Sequence, residues 1–284
     1  MPCATSRILT LALGFVAICA SSLAEEAGIP AKLHPWGQFD PGAWKTVSVV
    51  TETLNEHGQV ASTSATDTKT TLVDIDNDGV TLEIQACMEV AGKRFEAEPQ
   101  TVKQGFHGDL VMPNLKLQAP VAGQVTIEDQ KISCKVQQLE STGPDSKTVT
   151  TIYYCLALPP YLLKRESVTT DLEGKNVLSE TTMEVISLNM PSEIRQGETK
   201  NGAYTMTVHK NGKGAVTTLA VLVLPEVPGG VVSSSSKEVD KTGRLVRRST
   251  LKLVDYNDDP DKDRTGLFGR KRPPRSHRTK PTPH

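Results

Sequence analysis

The sequence predicts an all-β protein built from long antiparallel hairpins, and three observations support this fold class. Residues 80–90 alternate apolar and polar side chains with a period of two, which is typical of a half-buried strand. Glycine-containing turn signals recur at strand-length intervals, and no stretch between them has a convincing helical period. Residues 150–188 can also be aligned with residues 217–257, matching Pro160 to Pro228 and Gly174 to Gly243. This repeat indicates that a strand-turn-strand-turn-strand unit occurs twice.

Residues 1–24 are predicted to be a signal peptide. Arg7 precedes an apolar run at residues 8–20, and Ser22 to Ala24 supply small residues at the positions that a signal peptidase reads. We expect cleavage near Ala24 and a periplasmic or extracellular mature protein. The run is shorter than the roughly 20 residues of a spanning helix. A membrane anchor is therefore the weaker alternative, and no other apolar stretch predicts a transmembrane segment in the mature chain.

Residues 25–45 form a segment rich in aromatic side chains, although aromatic residues make up 4% of the whole chain. Trp36, Phe39 and Trp44 lie within it. In one interpretation the rings plug an open end of the sheet and bury a large apolar area. In the other, they form an exposed ligand platform for sugars or lipid.

The body is predicted to contain two halves of three hairpins each, at residues 46–158 and 159–257. Proline cannot donate to a central ladder, so Pro159-Pro160 is expected to mark the junction between the halves. Either a curved half-barrel-like sheet or a sandwich is compatible with strands of this length. Residues 110–132 predict two short strands or a loop. The turns are expected near Gly58, Gly92, Pro144, Gly174, Gly212 and Gly243.

One hairpin predicts a disulfide. If its turn is centred between Pro144 and Asp145, Cys134 lies opposite Cys155 in a non-hydrogen-bonded pair, whose geometry suits a bridge in an oxidising compartment. Two buried free thiols are the alternative. Cys87 then has no partner and is expected on the polar side of its strand, either as a reactive thiol or as a packed bystander.

Asp74, Asp76 and Asp78, followed by Gly79, resemble the start of a calcium loop, where alternate acids converge on the ion. The twelfth position is Gln85 instead of glutamate, and it falls inside the alternating strand. An ordinary Asp-Gly hairpin turn is the competing interpretation, and we expect no other metal site or cofactor.

Motifs for catalysis are missing from the sequence, which favours a non-enzymatic protein. There is no Gly-x-Ser-x-Gly elbow, and the histidines lack metal-ligand spacing. His107 is the one histidine in an irregular glycine-flanked setting beside an acid, Asp109. A triad assembled from distant strands remains an alternative, and it would make the protein an exported hydrolase.

The C-terminal residues 258–284 are predicted to be a disordered basic tail. The chain has a net charge of −1, yet residues 264–284 hold seven basic residues and no acidic one. With almost no apolar residues, such a tail cannot offset its ordering entropy. It predicts adhesion to an anionic envelope polymer or simply a solvated end, and the lack of interleaved aromatics argues against specific nucleic-acid binding. The candidate polymer contacts are Arg270, Lys271, Arg272 and Arg275.

The aromatic opening and the segment Val227-Pro228-Gly229-Gly230-Val231-Val232 resemble secreted bacterial β-repeat proteins that have no assigned activity. In outline, a signal peptide followed by long hairpins is also similar to LolA/LolB periplasmic lipoprotein carriers, whose half-barrel holds acyl chains. We therefore expect an exported, non-enzymatic binding or scaffold protein of the cell envelope, or else a carrier of an apolar or lipid ligand. A carrier needs an apolar cavity of some hundreds of Å³, whereas a scaffold fills that space with its own side chains.

Overall fold

A computed structural model describes residues 28–90, 92–108, 114–195 and 197–259 of the chain. The predicted signal peptide, Asp109 and the tail beyond residue 259, with Arg270, Lys271, Arg272 and Arg275, lie outside the described residues. The described chain is all-β, as predicted, with a short 3₁₀ helix at Ala31–Leu33. The strands are β1 (Trp44–Leu54), β2 (Val60–Ile75), β3 (Gly79–Val90), β4 (Lys93–Glu96), β5 (Gln100–Gly105), β6 (Lys116–Leu117), β7 (Val121–Ile127), β8 (Gln130–Thr142), β9 (Ser146–Tyr154), β10 (Leu162–Asp171), β11 (Val177–Arg195), β12 (Glu198–Asn211), β13 (Val216–Val223), β14 (Val231–Val239) and β15 (Leu245–Asn257).

All described strands belong to one 15-stranded antiparallel sheet, ordered β4-β3-β2-β1-β15-β14-β13-β12-β11-β10-β9-β8-β6, with β5 on β3 and β7 on β8. The first strand therefore pairs with the last one. Each of the six turns expected from the sequence lies between two paired strands, so the hairpin prediction is confirmed. Within residues 110–132, β6 and β7 are the two short strands of the first alternative.

The internal repeat is visible in the backbone hydrogen bonds of two long turns. The Cys155 N–H donates to the Tyr161 carbonyl, and the Leu224 N–H donates to the Gly230 carbonyl, each at 2.8 Å. Each ladder that follows has an irregularity next to its turn, in β9–β10 and in β13–β14. This correspondence has a constant offset of 69 residues. With this offset Pro159 corresponds to Pro228, whereas the sequence alignment matched Pro160 to Pro228. The two copies differ in length, and the difference lies before the turn.

The sheet continues through the proline-rich turn at Pro159-Pro160, since Tyr154 of β9 pairs directly with Leu162 of β10. The proposed junction thus lies inside a continuous ladder. The boundaries 46–158 and 159–257 stay predictions.

The sheet is curled, and the N-terminal segment, residues 28–43, shows why. Leu33 packs with residues of β8 and β9, whereas Trp36 packs with residues of β2 and β3. Three residues of chain reach at most about 11 Å, but a flat sheet would hold β3 and β8 about 48 Å apart at ten strand spacings. The sheet must therefore bend around this segment, which favours the half-barrel-like alternative over the sandwich.

The strongly alternating strand β3 is buried along one part of its length. Val80 and Leu82 are buried, as predicted, and pack beside Trp36. Met88, on the same face, is 44% exposed. The buried part of this face therefore does not extend to Met88, which lies beyond the Trp36 cluster.

Candidate functional site

The concave face of the sheet holds two connected cavities, which together form the candidate site. The larger has a volume of about 580 Å³ and is lined mainly by strands β8 to β12. The smaller, of about 260 Å³, lies beneath the N-terminal segment. His107, Leu162, Arg165 and Met183 line both cavities. The two spaces therefore form one groove, and these four residues lie at its junction.

Seven of the thirteen described residues that line the larger cavity carry a hydroxyl group, and these residues form what we call the hydroxyl wall. Their spacing by two residues within β9 and β10 places them on one face of the sheet. Thr148 Oγ1 lies 3.0 Å from Thr169 Oγ1, and Thr150 Oγ1 lies 2.9 Å from Ser167 Oγ. A hydroxyl donates one hydrogen bond and accepts two, so each pair keeps one O–H and several lone pairs for a ligand. The hydroxyl residues are Ser141, Thr148, Thr150, Ser167, Thr169, Thr181 and Thr207.

Apolar side chains dominate the smaller cavity, which we call the apolar cavity. The N-terminal segment covers it with Leu33 and Pro35, and the sheet contributes Val221, Val223 and Val231. Two hydrogen bonds fasten this cover to the turn between β13 and β14. The Gln38 side-chain amide donates to the Pro225 carbonyl, and the Gly229 N–H donates to the Pro35 carbonyl at 3.2 Å. The repeated turn therefore anchors the cover of the cavity.

Trp36, Phe39 and Trp44 do not form one exposed surface. Trp36 is 5% exposed and packs among Leu72, Val80 and Leu82, as the plug interpretation predicts. Phe39 packs partly buried against the same cluster. Trp44 lies on β1, with the Lys69 ammonium 4.6 Å from its ring centroid. The platform interpretation is wrong for Trp36 because its ring is enclosed. Ligand contacts by Phe39 and Trp44 stay predictions.

Two histidines lie beside the groove, and the sequence singled out one of them. His107 lines both cavities, and its carbonyl accepts a hydrogen bond from the Arg165 guanidinium at 3.3 Å. His34 is buried, and the Trp36 N–H donates to its Nδ1 at 3.3 Å. Its Nε2 lies 3.2 Å from Gln104 Oε1, so the neutral ring donates from Nε2. Burial lowers the pKa of His34 to about 4, against the opposing hydrogen bond to Gln104.

Sequence reasoning missed His34 because an isolated histidine near aromatic residues carries no spacing signal. Its position directly before Pro35 and Trp36 was the available hint. The hydroxyl wall was missed as well, because threonine is a common residue in strands. Alternating threonines indicate that their side chains share one face of the sheet, but not whether that face is the concave one.

The acidic sequence at residues 74–79 forms the β2–β3 hairpin turn, which confirms the Asp-Gly turn. Asp76 Oδ1 accepts N–H groups from Asp78 at 2.9 Å and Gly79 at 3.2 Å. The Lys103 ammonium lies 2.6 Å from Asp76 Oδ2 and 3.6 Å from Asp78 Oδ2. Its hydrogen bond is the main cause that lowers the pKa of Asp76. Calcium binding by Asp74, Asp76 and Asp78 stays a prediction, and the ion would have to displace this lysine.

Metal-ligating side chains do not cluster elsewhere in the described ranges either: there, no three His, Cys, Asp or Glu residues are grouped to hold an ion.

The cysteine hairpin has the predicted register but not the predicted bridge. Val136 pairs with Tyr153, and the Gly143 N–H donates to the Ser146 carbonyl at 2.9 Å. However, β9 ends at Tyr154, and Cys155 already belongs to the following turn. Cys134 and Cys155 are free thiols in one apolar cluster, so the disulfide prediction was wrong. Burial raises the pKa of Cys134, and nearby Cys155 adds to that effect.

Cys87 is also a free thiol. It is half-buried on β3, with Asp67 opposite it on β2 and Glu96 opposite it on β4. Both interpretations of Cys87, as a reactive thiol and as a packed bystander, stay predictions.

Comparisons with known proteins give little further guidance. No protein-family model matches the chain, and no curated protein matches it. One solved structure is similar: a Bacteroides fragilis protein with a YmcC-like fold, thought to be exported, with 9% sequence identity and a TM-score of 0.28. The match covers 76% of this chain and 99% of that protein. A likeness this weak carries no conclusion about this chain, and the resemblance to LolA/LolB carriers stays an expectation.

The described part of the chain contains no helix with the length and apolar character needed to cross a membrane.

Proposed function

We propose that this chain is an exported, non-enzymatic binding protein that holds its ligand in the groove on the concave face of the sheet. One observation carries the proposal: the curled sheet borders two connected spaces of about 580 and 260 Å³, and the N-terminal segment covers the smaller one. Ligand sites typically have volumes of roughly 300–1,000 Å³. A scaffold would fill this space with its own side chains, so the groove favours the carrier among the functions expected from the sequence.

Export rests on the predicted signal peptide, and envelope attachment rests on the basic tail. The basic side chains at residues 270–275 would hold the protein near an anionic envelope polymer by electrostatic attraction, which salt screens. Ligand binding itself does not require the tail, because every residue of the groove lies between Lys32 and Val231.

A cavity-blocking variant tests the proposal. Met183 lines both cavities, so Met183→Trp places a bulky ring at their junction. We expect the wild-type protein to bind the neutral apolar dye N-phenyl-1-naphthylamine, and the variant to bind it at least tenfold more weakly. Dye fluorescence titration measures both affinities, and circular dichroism checks that the variant is folded.

The matched control is Val168→Trp. Val168 is 39% exposed and lies between Ser167 and Thr169, so its side chain points away from the groove. This variant should bind the dye like the wild type. Equal dye binding by Met183→Trp and the wild type, or no dye binding by any of the three proteins, would contradict the proposed function.

A further inference from the structure

We infer that the ligand is a single-chain amphiphile with an uncharged head group that carries hydroxyls. This inference rests on the proposed function and names the ligand class for the same groove. The apolar cavity would hold the alkyl chain, and the hydroxyl wall of the larger cavity would hold the head group.

The apolar cavity fits one alkyl chain because it is small and its walls carry few polar groups. Leu33, Pro35, Val221, Val223 and Val231 are among the apolar residues that such a chain would contact. Its volume of about 260 Å³ is less than half that of the neighbouring cavity. Each buried methylene should tighten binding by roughly fourfold.

The larger cavity fits a head group with hydroxyls because its wall both donates and accepts hydrogen bonds. Arg165 Nε donates to Ser167 Oγ at 3.3 Å, and Ser167 Oγ lies 2.9 Å from Thr150 Oγ1. Whichever of these two oxygens accepts from the other, one O–H of the pair is left for a ligand. Polyol or sugar hydroxyls both donate and accept, so they complement such a wall along its length.

The lining residues favour an uncharged head group over a cationic one. Seven hydroxyl residues line the larger cavity, and Arg165 is the one Lys or Arg among its described lining residues. That guanidinium is held against the wall by Ser167 Oγ and by the His107 carbonyl, at 3.3 Å each. The polar groups of this wall are therefore mainly uncharged hydroxyls.

The continuity of the two cavities sets the order of the two ligand parts. Leu162 and Met183 lie at the junction, where an alkyl chain would pass from the apolar cavity towards the hydroxyl wall. A ligand with an alkyl chain and a head group would therefore contact both the N-terminal segment and the strands β8 to β12.

Displacement of the bound dye by three surfactants with the same ten-carbon chain tests the inference. Decyl maltoside has a neutral sugar head, decyl sulfate an anionic head and decyltrimethylammonium a cationic head. Below their micelle concentrations, we expect decyl maltoside to displace the dye at a concentration at least tenfold lower than the other two require. Equal potency of the three, or the strongest displacement by decyl sulfate, would overturn the inferred head group.

A double variant tests the hydroxyl wall directly. Thr150→Val with Ser167→Ala removes a hydrogen-bonded pair from the wall, and decyl maltoside affinity should fall about tenfold. Isothermal titration calorimetry measures this affinity, and circular dichroism shows whether the variant is folded. The control is Thr151→Val with Thr182→Ala. Thr150 and Thr181 line the groove, so the next residues along the two strands, Thr151 and Thr182, have their side chains on the opposite face of the sheet.

An unchanged maltoside affinity in the double variant would overturn the inference while leaving the proposed function intact. Dye binding that survives Met183→Trp would instead overturn the proposed function, so the two failures are distinguishable.

Discussion

At the scale of single residues, His34 joins the N-terminal segment to the edge strand β5. Its ring accepts from the Trp36 backbone and contacts Gln104, so an enclosed neutral imidazole helps to hold the cover of the apolar cavity. The folded-state pKa of about 4 lies below the ordinary value of 6.5. The unfolded chain therefore binds more protons between these values, and stability falls as the pH drops through this window.

The pH dependence of stability tests this role. From pH 7 to pH 5 the wild-type free energy of unfolding should decrease by about 2 kcal/mol from His34 alone. His34→Gln removes the titrating group, so the free energy of unfolding of this variant should decrease by about 2 kcal/mol less than that of the wild type between pH 7 and pH 5. Urea unfolding at both pH values measures it. The control is His57→Gln, which replaces an exposed histidine and should keep the wild-type pH dependence; an unchanged decrease in His34→Gln would show that His34 is not responsible.

At the scale of elements, four hairpins share one turn design. A residue with a side-chain oxygen begins each turn, and a glycine three positions later has a φ between 71° and 86°. In each turn the N–H of that glycine donates to the carbonyl of the first residue at 3.0 or 2.9 Å. The left-handed φ explains why glycine recurs at strand-length intervals. The pairs are Asn55 with Gly58, Asp171 with Gly174, Asn211 with Gly214, and Asp240 with Gly243.

Replacing one such glycine tests the turn design. Gly243 has a φ of 83°, and a Cβ there would meet no atom within 4 Å, so Gly243→Ala adds backbone strain alone. The free energy of unfolding should fall by about 1 kcal/mol. Gly143→Ala is the matched control, because Gly143 lacks a positive φ and its added Cβ would make ordinary contacts, the nearest at 3.7 Å. If both variants unfold at the same urea concentration, left-handed strain is not what selects glycine at these turns.

The sequence predicted the hairpins because each depends on local signals. Turn glycines and alternating side chains are encoded within a few residues, and they located the turns from Gly58 to Gly243. The pairing of β1 with β15 joins residues about 200 positions apart and has no local signal. The disulfide prediction was wrong for a related reason. The register of β8 and β9 follows from their short turn and was predicted correctly, but the end of β9 at Tyr154 depends on the longer turn between β9 and β10.

At the scale of the whole molecule, the N-terminal segment brings distant strands together. Leu33 and Trp36 contact strands near opposite ends of the sheet order, and the apolar cavity of the groove lies between the N-terminal segment and the sheet. The groove combines residues from Lys32 to Val231, so its composition depends on the curl. Sequence patterns could indicate the plug, because aromatic residues cluster there, but they could not show which threonines face inwards.

Native mass spectrometry of the mature protein isolated from its own cells shows most directly whether this groove holds a ligand. The wild-type protein should carry a bound single-chain amphiphile, released on denaturation, and Met183→Trp prepared in the same way should lack it. Val168→Trp should carry the same mass. A wild-type protein that shows the mass of the bare chain, or a bound mass that persists in Met183→Trp, would contradict the account.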